Sequence, residues 1–226
     1  LHVLTHSFPT RRSSDLYSLL ENNTSSQGTF DKFFVLQAIN ELRHIVSSPE
    51  LDNNKIISSK KEVLIENVIE AIENNHKVLI FVNYLSSIES ICNSLKENKI
   101  KFLKMTGQTK DRQSLVDKFQ SDNRYKVFVM TLKTGGVGLN LVSADTIFIY
   151  DPWWNKTVEN QAIDRAYRLG QDKTVFAYKM IMRNTIEEKI LKLQEIKDKL
   201  LDDLISEDNL STKNLSKNDI EFILGN

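Results

Sequence analysis

The sequence is poor in cysteine, histidine, proline and glycine. Its 226 residues include 1 Cys, 4 His, 3 Pro and 7 Gly. The single Cys92 excludes an intrachain disulfide, and so few histidines leave little material for a zinc cluster. We therefore expect no metal-ligating residues, and a reducing compartment is the simplest setting for the chain.

Long apolar runs and an excess of one charge are also missing. No run approaches the about 20 apolar residues of a membrane helix, and the start of the chain lacks the apolar region of a secretory signal. We expect a soluble protein with no membrane partner. The 30 Lys+Arg balance the 30 Asp+Glu, which argues against a basic, tail-like nucleic-acid binder but not against local basic patches. The length predicts one full domain with a small appendage, or two very small domains.

Residues 1–16 do not match the rest of the chain. They have neither helical nor strand periodicity, and they resemble translated sequencing-adapter sequence. The alternative is a genuine disordered terminus. We exclude this segment from fold reasoning and expect the chain to be a fragment that lacks its true N-terminal part.

The remaining residues divide into three parts. Residues 17–58 form a helical lead-in, with apolar residues at helical spacing from Phe30 to Val46. Residues 59–184 alternate short apolar runs with helical patterns, which predicts an α/β lobe with a mainly parallel sheet flanked by helices. Residues 185–226 begin with a capping box and a long amphipathic helix, followed by a short helix at Ser216–Leu224. Strands are predicted at 78–82, 102–105, 127–130, 146–150 and 175–178.

A glycine-rich segment, Thr131–Asn140, directly follows one of these strands. Glycines allow a close approach of the backbone to a ligand, and exposed N–H groups in such a loop favour an anion, usually a phosphate. A tight turn without a ligand is the alternative, because short glycine clusters are weak indicators.

A second segment, Glu159–Gln171, carries paired arginines. A helix over 158–168 would place Gln161, Arg165 and Arg168 on one face. Two guanidinium groups on one face suit a polyphosphate. The alternative is a solvated face whose arginines pair with Glu159 and Asp164.

Three further features are weaker. Asp151–Asn155 contains both tryptophans of the sequence. Because adjacent residues cannot both face one core, we expect at least one indole to lie near the surface or on a partner. The alternative is that the tryptophans fill the space between a strand and a helix. Thr106–Arg112 precedes a predicted helix and suits either a phosphate or a capping turn. Between Lys99 and Lys133 there are nine bases and three acids, as expected of a track for a nucleic-acid backbone.

Together and in this order, these segments resemble the C-terminal half of the Swi/Snf-type helicase-like ATPases, superfamily-two motors that translocate on double-stranded DNA. The resemblance runs from about Phe30 to the end and is densest over residues 77–190. Residues 78–84 are similar to motif IV, 131–141 to motif V and 161–171 to motif VI. The departures from the family pattern are Ser48 for His, Thr134 for Ala, Lys156 for Pro and Tyr167 for His.

The resemblance implies a RecA-like lobe, the second of a pair, with ATP and Mg²⁺ in the cleft between the lobes. Arg165 and Arg168 would act as arginine fingers, and Gln161 would bind the phosphates or an attacking water. The implied nucleotide-binding residues are Gly136, Gly138 and Asn140. The implied DNA-binding residues are Asn83, Gly107, Thr109, Arg112, Thr131, Lys133 and Trp154.

Half of the expected motor is absent from this sequence. It contains no phosphate-binding G-x-x-x-x-G-K-[ST] loop and no Asp-Glu pair before Val78. We therefore expect an N-terminal lobe of the same protein, double-stranded DNA and a larger protein assembly as partners, and negligible ATPase activity from this chain alone. The helix after Thr185 is expected to brace the lobe.

Three alternatives stay open: a non-catalytic nucleic-acid-binding lobe, a superfamily-two RNA helicase lobe, and a flavodoxin-like small-ligand domain. The RNA helicases usually carry His-Arg-x-Gly-Arg in motif VI, unlike the Arg165–Gln171 order here. We expect a cytoplasmic protein if the source is bacterial, which we favour, and a nuclear one if it is eukaryotic.

Overall fold

A computed structural model of the protein describes residues 2–7, 32–49, 58–135 and 138–204. Gly136 and the helix predicted at Ser216–Leu224 lie outside these described residues. Within the described part, no helix is long and apolar enough to cross a membrane.

A six-stranded sheet forms the centre of the fold, in the order β1-β6-β5-β2-β4-β3. All of its pairings are parallel, so the predicted α/β class is confirmed. Parallel neighbours need crossovers over a face of the sheet, which the alternating helices supply. The strands are β1 His2–Ser7, β2 Val78–Val82, β3 Phe102–Met105, β4 Val127–Thr131, β5 Thr146–Ile149 and β6 Phe176–Arg183.

The middle strands are continuous apolar runs because both of their faces are covered. Val78–Val82 is fully buried and lies between β4 and β5, with Val78 opposite Val127 and Thr146. In the part of the chain that the structure describes, seven helices surround the sheet. They are α1 Lys32–Ser47, α2 Ser59–Glu73, α3 Leu85–Glu97, α4 Arg112–Ser121, α5 Leu132–Gly135, α6 Lys156–Ile163 and α7 Ile186–Leu204.

The helices create two separate cores. Helices α2 and α3 bury residues such as Leu64 and Ile91 against one face of the sheet. Helices α4, α5 and α6 bury Val116, Leu132 and Ala162 against the other. Helix α7 packs on β6 and also contacts α1, so the helices at the two ends of the lobe meet.

Residues 2–7 form strand β1, although the sequence predicted no regular structure for 1–16. They pair in parallel with the outer edge of β6, from His2 opposite Tyr178 to Ser7 opposite Arg183. The backbone groups of an edge strand can pair with any extended segment that lies beside them, so pairing needs no periodic sequence.

Helix α6 is shorter than predicted. The sequence predicted a helix to Arg168, but α6 ends at Ile163 with Asp164 as its C-cap. Just after Ile163, two hydrogen bonds span only three residues: Arg165 N donates to Ala162 O (3.3 Å) and Ala166 N donates to Ile163 O (3.0 Å). The carbonyls of Arg165 and Ala166 accept from Leu141 N (3.0 Å) and Gln171 Nε2 (3.2 Å), which hold this turn in place. The predicted helix through both arginines is therefore wrong, and both lie in the turn that follows α6.

Candidate nucleotide and nucleic-acid sites

The loops after β2 and β5 meet at the carboxyl edge of the sheet. Asn83 donates from its backbone N to Asp151 Oδ2 (2.8 Å) and from Nδ2 to Asp151 O (2.7 Å). Ser47 Oγ, at the end of α1, donates to the other oxygen of the same carboxylate (2.5 Å). Asn83, predicted to contact DNA, therefore holds two loops together, and its predicted DNA contact stays untested.

The loop after β3 is shaped by Arg112. Its Nη2 donates to Gly107 O (3.1 Å) and its Nε donates to Thr109 O (3.3 Å). Asp111 caps α4 by accepting from Ser114 N (3.1 Å). The guanidinium folds back on the loop that precedes it, so Arg112 stabilises the backbone that Gly107 and Thr109 present at this edge.

The loop after β4 starts with a hydroxyl pair. Thr131 Oγ1 lies 2.5 Å from Thr134 Oγ1, and Thr134 is buried. A Cβ on Gly135 would overlap the ring of Phe81, so the short helix α5 sits directly on β2. Lys133, in the same turn, is exposed.

The base-rich residues 99–133 leave fewer charged groups free to bind a nucleic-acid backbone than their composition predicts. Arg124 pairs with Asp122 at 2.7 Å, and Lys126 Nζ donates to Ile72 O (3.1 Å) and to Asn75 Oδ1 (3.0 Å). With Arg112 engaged as well, these bases stabilise the lobe itself. The exposed lysines of residues 99–133 are Lys99, Lys101, Lys104, Lys110, Lys118 and Lys133. Of these, Lys118 lies over the Tyr125 ring.

The turn that follows α6, residues 164–171, carries Arg165 and Arg168, and we call it the arginine turn. It lies on the flank of the sheet, away from the carboxyl edge. Gln171 Nε2 donates to Val142 O (2.9 Å) and Ala144 O (2.8 Å), just before β5 begins. The chain then enters β6 at Phe176, which pairs with Thr146 at the start of β5. The turn therefore adjoins the starts of β5 and β6, at the opposite end of these strands from the carboxyl edge.

The backbone of the arginine turn adjoins the end of the glycine-rich segment. Leu141 N donates to Arg165 O at 3.0 Å, directly after Asn140. Gly138 has φ +50°, a conformation that favours glycine, and both Gly138 and Asn140 are exposed. The structure thus brings the backbone next to Asn140, one of the residues predicted to bind the nucleotide, into contact with Arg165.

The turn is open to solvent. Gln161 and Arg168 are exposed, and Arg165 is half-buried. Tyr167 and Leu169, on either side of Arg168, expose 70% and 103% of their surface. Glu159, offered by the sequence as a partner for the arginines, is buried and lies 2.5 Å from Lys179 Nζ instead.

Trp153 and Trp154 stack on each other, with ring centroids 4.1 Å apart. Both are half-buried, and both lie over the guanidinium of Arg43 in α1, whose Cζ is 4.8 Å and 4.9 Å from their centroids. Arg43 Nη2 also donates to Pro152 O at 2.7 Å. The tryptophans therefore clamp the lead-in helix to the loop after β5, and a DNA contact of Trp154 stays a prediction.

Buried charges are the feature that sequence reasoning missed. Lys60 lies 2.5 Å from Glu187, and Lys179 lies 2.5 Å from Glu159; all four side chains are at least 98% buried. Burial raises the pKa of Glu187, while the Lys60 ammonium and the Met182 amide oppose that rise. An indication was available for Lys179, because a lysine inside the otherwise apolar strand β6 requires a buried partner.

A further buried carboxylate, Asp145, lies at the start of β5. Its Oδ2 is 3.0 Å from His76 Nδ1 and 3.0 Å from Lys173 Nζ, and its Oδ1 accepts from Lys77 N (3.2 Å). Burial by itself would raise the pKa of Asp145, but the hydrogen bonds from His76 and Lys173 outweigh it and lower that pKa. The carboxylate thus joins β5 to the start of β2 and to the segment before β6.

Comparison with known proteins identifies the family of the chain. Residues 59–170 match the family described as the helicase conserved C-terminal domain. The chain is 39% identical over 179 residues to an uncharacterized ATP-dependent helicase of Mycoplasma pneumoniae, covering 78% of this chain and 17% of that protein. It is 36% identical over 211 residues to the putative ATP-dependent helicase/translocase YwqA of Bacillus subtilis, covering 89% and 23%. The chain thus spans about a fifth of the length of these relatives.

The solved SWI2/SNF2 ATPase core of Sulfolobus solfataricus, in complex with double-stranded DNA, superposes with a TM-score of 0.73 at 27% identity; the match covers 99% of this chain and 49% of that one. The fold and the matched domain therefore define a helicase-type, RecA-like C-terminal lobe. Within that class, the chain belongs to the Swi2/Snf2-type helicase-like ATPases, the family that its motifs resemble.

Proposed function

We propose that this chain is the C-terminal lobe of an ATP-dependent translocase on double-stranded DNA. Another lobe of the same protein supplies the main phosphate and Mg²⁺ ligands, and Arg165, Arg168 and Gln161 complete the nucleotide site from this side. The ATP-dependent helicase relatives and the DNA-bound Sulfolobus neighbour support this proposal.

The observation that carries the proposal is the exposed arginine turn beside the glycine-rich segment. The turn exposes all of Leu169 and most of Tyr167, so it leaves apolar surface in contact with water. Covering this surface with another protein surface would be favourable, because it removes apolar area from water. Arg168 lies between these two residues in the sequence and is itself exposed. A surface that covers them would therefore meet its guanidinium, and a phosphate held on that surface would find a bidentate donor.

The residues present fit a polyphosphate but not its metal. Guanidinium groups, a carboxamide and the backbone near Gly138 are donors to phosphate oxygens. Among the described residues, no three His, Cys, Asp or Glu side chains are grouped to hold a metal ion. ATP bound with Mg²⁺ supplies the phosphoryl group that is transferred, and the metal ligands belong to the other lobe in this proposal.

Chemically, Arg165 and Arg168 stabilise charge. Negative charge grows on the transferring and leaving oxygens in phosphoryl transfer, and a guanidinium placed there lowers the barrier by about 4–7 kcal/mol, the equivalent of roughly 10³–10⁵ in rate. Gln161, exposed near the end of α6, orients a phosphate oxygen or the attacking water.

The carboxyl edge is the proposed DNA surface. It presents the backbone around Gly107 and Thr109, the Thr131 hydroxyl and the exposed ammonium of Lys133. Such contacts to phosphates position a protein on DNA without reading its sequence. Because the edge and the arginine turn are separate regions of the lobe, substitutions in one are expected to spare the function of the other.

The test uses the chain as it stands. We expect the 226-residue protein to bind a duplex DNA in fluorescence anisotropy, with an affinity that falls as salt rises, and to hydrolyse ATP at background rate. Lys133→Ala should weaken DNA binding, whereas Lys96→Ala, on the exposed side of α3, should not. DNA-stimulated ATPase activity from this chain alone would refute the need for a second lobe, and equal binding by both variants would refute the proposed edge.

A further inference from the structure

Strand β6 carries a lysine at a position that is 99% buried. Lys179 lies between Tyr178 and Met180, and its Nζ is 2.5 Å from Glu159 Oε2 in α6. The same ammonium donates to Gln194 Oε1 in α7 at 2.6 Å. A buried ammonium is tolerated only with such partners, so this pair of acceptors fixes α6 and α7 against the same strand.

Both acceptors also hold the peptide backbone of Trp153. Glu159 Oε1 accepts from Trp153 N at 2.6 Å, and Gln194 Nε2 donates to Trp153 O. The N–H of this residue is therefore bound by α6 and its C=O by α7. Lys179, Glu159, Gln194 and the Trp153 backbone form one closed cluster, which we call the Lys179 cluster.

Helix α6 is held by this cluster through Glu159 and by the apolar packing of Ala162. It has only 8 residues, and isolated helices shorter than about 12 residues are marginal in water. Its two buried residues are Glu159 and Ala162. The arginine turn starts directly after α6, so a shift of Glu159 is carried into Arg165 and Arg168.

We propose that Gln194 and Lys179 are positioning residues through which helix α7 sets the placement of α6 and of the arginine turn. This rests on the proposed role of Arg165 and Arg168 in ATP hydrolysis. Gln194 makes one hydrogen bond to the Lys179 ammonium and one to the loop, so α7 must be docked for the Lys179 cluster to close. A displacement of α7 opens the cluster and releases α6.

The lead-in helix reaches the same loop from the other side. Arg43 in α1 donates to Pro152 O at 2.7 Å and lies over the Trp153 ring. The helix by which the chain enters the lobe and the helix by which it leaves thus contact neighbouring peptides of one loop. A movement at either end of the lobe is transmitted to the arginine turn through residues 152–159.

A helix that only braces the fold would behave differently. Its loss would lower the stability of the whole lobe and change all regions alike. A positioning residue, in contrast, loosens α6 and the turn while the centre of the sheet keeps its protection. Local hydrogen exchange and the emission of the tryptophans separate the two, because both tryptophans of the protein lie in this loop.

The test compares two variants of one helix by amide hydrogen exchange of the 226-residue chain. Gln194→Met keeps the length of the side chain but removes both hydrogen bonds, and Lys192→Met makes a similar change at an exposed position. We expect Gln194→Met to speed exchange over residues 156–171 roughly fivefold or more, the effect of losing hydrogen bonds of ordinary strength. Exchange in β2 should change by less than twofold, the tryptophan emission should shift to longer wavelength, and Lys192→Met should change neither.

Gln194→Glu serves as a second variant: it keeps an acceptor for Lys179 but loses the donor to Trp153 O, so it should also speed exchange over residues 156–171 while exchange in β2 changes less than twofold. Equal acceleration in β2 and α6, or none, would overturn the proposal. In the longer protein that contains this chain, Gln194→Met should lower the kcat of DNA-stimulated ATP hydrolysis with KM for ATP changed less than twofold. Loosening of α6 with unchanged kcat would refute the link to the arginines. The hydrogen-exchange result does not depend on ATPase activity. The positioning role of Gln194 can therefore be tested even if the proposed ATPase function is wrong.

Discussion

Removal of the ammonium of Lys60 should destabilise the lobe by an amount that depends on pH. Lys60 Nζ lies 2.5 Å from Glu187 Oε1, both side chains are at least 98% buried, and the ammonium lies 4.6 Å from the centroid of the Tyr150 ring. Lys60→Met keeps most of the apolar stem but leaves the Glu187 carboxylate buried with only the Met182 amide (3.0 Å) as a donor. Breaking a buried pair in this way costs about 3–5 kcal/mol.

The sign of the pH dependence follows from the folded pKa of Glu187. Burial already raises that pKa above its ordinary value in the parent protein, and loss of Lys60 removes the charge that opposes the rise. The folded state then binds a proton that the unfolded state has released, so stability falls as pH rises from the unfolded pKa through the raised folded one. We expect the loss in Lys60→Met to be largest at pH 8 and smaller at pH 5.

Urea unfolding of the 226-residue chain, followed by tryptophan fluorescence, measures this directly. With an m-value of about 2–3 kcal/mol/M, the loss lowers the midpoint by about 1–2 M at pH 8. The double variant Lys60→Met, Glu187→Gln carries no buried charge at this site and keeps an oxygen for the Met182 amide, so it should recover most of the loss. A Lys60→Met protein within about 1 kcal/mol of the parent at pH 8 would refute the reasoning, as would a loss that grows toward pH 5.

Three smaller predictions follow from single sites. Gly135→Ala should lower the free energy of unfolding by about 1–3 kcal/mol, because the new methyl group meets the buried ring of Phe81; Gly107→Ala, with nothing within 4 Å of its Cβ, is the matched control and should change it little. Cys92 is buried and burial raises its pKa to about 11, so a disulfide reagent at pH 8 should label it only in denaturant. Asp145→Asn should lower the free energy of unfolding at pH 7. This loss should shrink as pH falls below the unfolded pKa of 3.8 and through the lowered folded pKa, since protonation then removes the same charge from the parent protein. An equal loss at pH 3 and pH 7 would contradict the role given to the Asp145 carboxylate.

The sheet could be predicted from the sequence because its residues carry their own periodicity. Val78–Val82 and Phe102–Met105 are strands with the predicted bounds, since each is a short apolar run between turn residues. Strand β6 runs on from the predicted 175–178 to Arg183, because the apolar residues Met180–Met182 continue the run. The predicted end of α6 was wrong, because the chain tightens into a turn after Ile163, and this turn is held by Leu141 and Gln171, whose proximity is set by the fold and not by local sequence.

The candidate site was predicted in part. The sequence identified the glycine-rich segment and the arginine turn, and the fold brings Asn140 and Arg165 together through Leu141. What the sequence could not provide is the direction of each polar side chain. Arg112 folds onto its own loop and Glu159 turns inward to Lys179, and both choices depend on partners distant in sequence.

The most direct test of the proposed function is the kcat of DNA-stimulated ATP hydrolysis by the two-lobed protein that this proposal implies, with Arg168→Ala or Arg165→Ala. If these guanidinium groups stabilise the transition state, kcat should fall about 10³-fold or more for either variant, while duplex binding stays within twofold of the parent. Arg124→Ala, which removes an exposed arginine paired with Asp122, is the control and should keep full activity. A kcat within threefold of the parent for both arginine variants would contradict the account.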